Sequence, residues 1–128
     1  MKYSPIYFLL IVAILAGCAA PNQKNDEKIF DLARDEAKLS LAIEEEGIAP
    51  LMASLVTETK GGSVFDCHQE AHAIGRVGYS MVKEKAFQEC DASCHSGCYH
   101  GAMESFLNEK GTANLSQNIS AVCEAFPT

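Results

Sequence analysis

Apolar positions follow two regimes along the chain. Residues 6–15 form one unbroken apolar run, whereas from Asp26 onward apolar side chains recur at steps of three and four. That spacing is helical, and no stretch alternates apolar with polar residues for long enough to suggest a sheet. The pattern predicts an all-α fold, a small helical bundle of about five helices over 26–128. Asp26 can cap a first helix ending near Gly47, in which Phe30, Ala33, Ala37 and Leu41 share one face and most acids take the other. Pro50 suits the first turn of a second helix carrying Leu51, Met52, Leu55 and Val56, which stops before Gly61-Gly62. Ser63 is placed to cap a third, over about 63–85. A cysteine-bearing loop follows, then a fourth helix over about 99–108 closed by Gly111, and a fifth from Asn114 through Val122. There is no internal repeat and no low-complexity segment.

The apolar run closes on Leu15-Ala16-Gly17-Cys18, which resembles the cleavage box of a bacterial lipoprotein signal. Lys2 supplies the positive start, and the run is short for a membrane span. The resemblance implies removal of residues 1–17, lipid on the Cys18 thiol, a flexible tether over 18–25 with Pro21, and a helical Cys/His-rich domain over 26–128. The domain would then face the periplasm or exterior of the cell envelope, lipid-anchored, at the outer membrane if the cell has two membranes. An uncleaved N-terminal anchor is the alternative, and either reading holds the domain at a membrane. Disulfides are permitted in such a compartment.

Charge narrows the partners. Without Lys2, nine Lys and Arg oppose seventeen acids, and eight of those acids fall between Asp26 and Glu46. This excess speaks against nucleic acid and anionic lipid as partners, so membrane attachment rests on the lipid. The acid run itself reads as a solvated helix face.

The candidate chemistry lies between Cys67 and His100, which bound all four histidines and four of the five cysteines that follow Cys18. His68 and His72 stand four apart on one helix face and can chelate one metal ion. Glu70 lies roughly 200° around the helix from His68, which excludes the zinc-protease arrangement that needs Glu directly after the first His. The plain alternative is a pair of histidines bonded to backbone or solvent. Gly75 and Gly78 follow His72 at steps of three, at a cost of roughly 1 kcal/mol each against alanine. Either a closely packed helix or a flat ligand must fill the stripe they clear. Arg76, one turn after His72, can meet an anionic group or pair with a carboxylate of the acidic first helix.

Cys90, Cys94 and Cys98 follow at regular intervals of four, and three readings compete for them. Cys90-x3-Cys94-His95 resembles a c-type haem attachment site widened by one residue, with His95 as proximal ligand and His68, His72 or His100 distal. Alternatively, thiolates and imidazoles bind zinc or copper, for example Cys94 and Cys98 with His68 and His72. In the third reading Cys67, Cys90, Cys94, Cys98 and Cys123 supply disulfides that pin the loop to the third and fifth helices, without a cofactor. Once Cys18 is lipidated an odd thiol remains, which points to a metal ligand, a bond to another chain, or a sequence that stops before its natural end.

The strings Cys67-His68-x3-His72-x-Ile74-Gly75-Arg76-x-Gly78-Tyr79 and Cys94-x-Ser96-Gly97-Cys98-Tyr99-His100-Gly101-x-Met103-Glu104 resemble an uncharacterised family of extracytoplasmic Cys/His-rich helical proteins, over about 65–107. Its members run longer, with further Cys/His elements downstream, so the resemblance implies that this chain is an N-terminal half. It also implies that His68, His72, Cys94, Cys98 and His100 belong to one site, and supplies no reaction. The expectation is a lipid-anchored domain whose Cys/His cluster binds zinc or copper in a binding or redox role, leaning away from an enzyme. Its partners are the membrane through the lipid and an envelope protein or the missing C-terminal half. Haem-based electron transfer, thiol–disulfide exchange at Cys94 or Cys98, and a disulfide-stapled interaction domain are the rivals; no Cys-x-x-Cys occurs.

Overall fold

A computed structural model describes residues 28–59 and 67–124. The fold there is all-α, with seven helices and no strand among the described residues: α1 (Ile29–Leu32), α2 (Glu36–Glu46), α3 (Ile48–Glu58), α4 (His68–Val82), α5 (Lys85–Glu89), α6 (Ser93–Lys110) and α7 (Leu115–Glu124). The lipoprotein box with Cys18, the tether, and the proposed caps Asp26 and Ser63 lie outside the described residues.

The acidic first helix is two. Asp35 interrupts it, in extended backbone, and its carboxylate accepts hydrogen bonds from the amides of Ala37 at 3.1 Å and Lys38 at 3.2 Å. This N-cap satisfies two of the donors a helix start leaves open. The break also resets the helical phase. Leu39 and Ile43 face the core with Ile29, while Ala37 and Leu41 are exposed, so the face assigned from spacing is replaced by one displaced around the helix. In α3 the expected Leu51, Met52 and Leu55 are buried, with Ile48 added, and Val56 is exposed.

Two carboxylates tie short elements to long ones. Glu89 of α5 accepts from the amide of Ile48 at the start of α3 at 3.1 Å, and Glu58 of α3 accepts from the amide of Ile29 at 3.0 Å. Each caps a helix from a distant part of the chain, a form of N-terminal satisfaction that local sequence does not display. Helix α5 also contributes Phe87 to a buried trio with Tyr79 and Phe106, whose ring centroids stand 6.0 to 6.2 Å apart edge to face, the preferred geometry for aromatic pairs.

The central contact is α4 against α6, and glycine decides it. A Cβ on Gly75 would collide with the Cys98 carbonyl, and one on Gly101 would collide with the His72 carbonyl. The two backbones therefore touch at a reciprocal pair of positions. Gly78 instead makes room for the Ile48 side chain of α3. Close helix packing thus accounts for both glycines of α4, and the cleared stripe is filled by the α6 backbone and the Ile48 side chain.

Two disulfides staple this crossing: Cys67 to Cys94, and Cys90 to Cys98. The first fastens the start of α4 to the start of α6, as expected for the third helix. The second closes the loop on α6 itself. No disulfide reaches the last helix, where Cys123 is free and exposed. Between the bridged positions the backbone turns left-handed at three consecutive residues, Cys94, His95 and Ser96, with φ of 51°, 51° and 60°. Regular helix resumes at 97. A side chain in that region costs roughly 1–2 kcal/mol per residue, and the two flanking cross-links hold the turn against it.

Candidate functional site

The α4–α6 crossing assembles the histidines. His68 and His72 project from α4, as their spacing predicts, and His100 from α6. The ring centroids lie 5.4 Å apart for His68 and His100, 5.9 Å for His68 and His72, and 6.4 Å for His72 and His100. Gly101 follows His100 directly and meets the His72 carbonyl, while Gly97 sits where a Cβ would press on the His68 carbonyl and Ala71. The small residues that let the helices meet are thereby the ones that bring three imidazoles together.

Each ring has a defined surrounding. Nδ1 of His68 lies 2.9 Å from the Cys94 carbonyl. A carbonyl oxygen only accepts, so Nδ1 carries a proton, and the neutral tautomer this selects is the one with its lone pair on Nε2. Holding the inner nitrogen by a backbone carbonyl is the usual way a metal-ligating histidine is oriented. His72 packs against Arg76, whose Nη1 lies 3.0 Å from His72 Nδ1, and against Glu104, whose Oε2 lies 3.4 Å from both Nδ1 and the guanidinium. Burial holds the His72 pKa below the ordinary 6.5, reinforced by the Arg76 charge and opposed by Glu104. This favours the neutral ring, and because a guanidinium only donates, the lone pair of that ring is on Nδ1, facing Arg76, and its proton is on Nε2. His100 is exposed.

The cysteines stand differently from the ligand set expected for them. Cys94 and Cys98 are each consumed in a disulfide, and a disulfide sulfur is not the thiolate that binds zinc or copper. Cys90 and Cys94 are bonded to separate partners, which leaves neither sulfur for a haem thioether in this form, and Cys94 and Cys98, the candidate exchange nucleophiles, are here in the oxidised state. His95 is exposed on the left-handed turn. Among the described residues no three His, Cys, Asp or Glu side chains already converge as a formed metal site. The candidate ligands that remain together are His68, His72 and His100, with Glu104 one helical turn beyond His100.

Arg76 meets a carboxylate, but one from α6 rather than from the acidic first helix. Glu104 stands four residues after His100 and so shares its helix face; its contact with His72 is not legible from spacing, because it requires the glycine-mediated crossing. No family model, no curated protein and no solved structure matches the chain.

Proposed function

We propose that this protein is a lipid-anchored, extracytoplasmic metal-binding domain in which His68, His72 and His100 take one transition-metal ion. The observation that carries the reading is the imidazole triangle across α4 and α6. A four-coordinate ion with metal–nitrogen bonds of about 2.0–2.1 Å sets three imidazole centroids about 5 Å apart. The centroid separations of 5.4, 5.9 and 6.4 Å exceed that by about 0.4 to 1.4 Å, so binding requires the three rings to draw together around the ion. The Nδ1–H of His68 bonded to the Cys94 carbonyl supplies one prepared ligand, and His72 joins the ion by exchanging its contact with Arg76 for the metal. Imidazole donors suit zinc and copper(II), with water or Glu104 in the remaining position. The role is binding or, with copper, redox.

Anchoring follows from the lipoprotein box. It agrees with a domain whose four clustered cysteines are paired as disulfides, the state favoured in oxidising compartments. Among the described residues no helix is long and apolar enough to cross a membrane. The same two disulfides favour a second reading, a stapled interaction domain without a cofactor.

Elemental analysis, an absorption spectrum and a free-thiol count on the chain purified from an oxidising compartment separate the two. About one zinc or copper per chain with Cys123 as the reactive thiol supports the metal domain. A chain that takes up neither ion, with the disulfides intact, supports the stapled interaction domain.

A further inference from the structure

The sequence contains only two arginines, Arg34 and Arg76, among its ten basic residues, and both line one cleft of about 340 Å³. The cleft lies between α2 and α4. Its floor is apolar and buried, formed by Leu39, Ala73 and Val77. Its polar lining residues are Arg34, Glu36, Arg76, Ser80 and Ser105. A volume of this size is at the small end of ligand pockets.

Chance placement of arginine offers little explanation of the rim. Arg34 sits in an acidic stretch beside Asp31, Asp35 and Glu36, yet its guanidinium makes no ion pair or hydrogen bond among the described residues. Guanidinium is the side chain best matched to a carboxylate, through its planar fork of donors. The hydroxyls already donate, Ser80 to the Val77 carbonyl and Ser105 to the Arg76 carbonyl. Their oxygens are therefore left as acceptors towards a ligand. The cleft thus offers donors for an anion, acceptors for a cation and an apolar floor between them.

We propose that this cleft binds a free amino acid with a small aliphatic side chain. The carboxylate meets Arg34 and Arg76, the ammonium meets Glu36 and the serine oxygens, and the aliphatic group lies on Leu39, Ala73 and Val77. A peptide terminus presents only one of the two charges and leaves the other half of the rim unpaired. A phosphate gains nothing from the floor and is repelled by Glu36. Arg76 also touches His72 and Glu104, so Arg34 is the residue whose replacement tests this cleft without disturbing the imidazoles.

The experiment titrates L-leucine into the metal-free full chain by calorimetry, with amide chemical shifts followed in parallel. Saturable binding is expected, with shifts centred on Ala73, Val77 and Ser80. Isoamylamine, which lacks the carboxylate, and 4-methylpentanoate, which lacks the ammonium, should each bind at least tenfold more weakly. Arg34→Ala should weaken leucine at least tenfold, with Arg34→Lys between it and the native chain, and helical content unchanged by circular dichroism. Replacing His68 and His100 by Ala, neither of which touches Arg76, should leave leucine binding intact, which separates this site from the metal reading. No saturable leucine binding, equal binding of isoamylamine, preference for inorganic phosphate, or full affinity in Arg34→Ala would overturn the proposal.

Discussion

His68 is joined to Cys94 by a 2.9 Å hydrogen bond from its ring, and Cys94 is joined by a disulfide to Cys67, the residue immediately before His68. One covalent and one polar link thus fix the same corner of the α4–α6 crossing. Replacing Cys67 and Cys94 together by Ser opens a cross-link spanning 27 residues, with an expected loss of about 3–4 kcal/mol in chemical denaturation. The variant should also free the His68 ring, seen as loss of slow exchange for its Nδ1 proton. A loss below about 1 kcal/mol would show that the left-handed turn holds itself.

Gly75 and Gly111 separate two uses of glycine. At Gly75 a new methyl meets the Cys98 backbone; at Gly111, φ is +69° and nothing lies within 4 Å. Gly111→Ala should cost roughly 1–2 kcal/mol, the price of a side chain in left-handed backbone. Gly75→Ala must push the helices apart and should cost more, about 3 kcal/mol or above. Urea denaturation of the two variants measures the order, and a cheaper Gly75→Ala would contradict the backbone-to-backbone crossing.

Tyr79 is buried in the aromatic trio, and its hydroxyl has no hydrogen-bond partner among the described residues. Burial raises its pKa, helped by Glu84 and Glu109. Tyr79→Phe keeps the ring contacts and removes an unsatisfied group, so stability should stay level or rise by about 1 kcal/mol. A loss above about 1 kcal/mol in thermal or urea unfolding would reveal a partner for the hydroxyl.

His72 sets a pH dependence in the metal-free chain. Its folded pKa lies below the ordinary 6.5, chiefly through burial and then through Arg76. The unfolded chain therefore binds this proton at a higher pH than the folded one. Stability from His72 is present above pH 6.5 and is lost as pH falls from there through the folded pKa. Glu104 works in the opposite sense, so Glu104→Gln should lower the His72 pKa further. Titration of the His72 ring Cε1 proton by NMR reads both, and a midpoint at or above 6.5 would contradict the assignment.

The all-α class, three α3 core positions (Leu51, Met52 and Leu55, though not Val56), the Gly111 stop and the start of α7 after Asn114 were legible because each rests on local spacing or a local stop signal. The single acidic helix was not two in the sequence, because Asp35 reads equally as a surface acid and as a cap. The buried stripe changed with it. The left-handed turn at Cys94, His95 and Ser96 carries no glycine to announce it; it depends on cross-links whose pairing no spacing specifies. The His68–His72 pair followed from helical period alone. His100 joined them in the sequence only through the family resemblance; its place beside them rests on the α4–α6 contact, which the glycines Gly75, Gly97 and Gly101 signal only in combination. The meeting of Arg34 with Arg76 over one cleft is tertiary throughout.

The most direct measurement is a calorimetric titration of zinc and of copper(II) into the metal-free full chain with its disulfides intact. The same titration follows for His68→Ala, His72→Ala and His100→Ala. The account predicts one ion per chain and at least a tenfold loss of affinity in each variant, since each removes one of three donors. No binding, or an affinity that none of the three replacements changes, would contradict a tri-imidazole site.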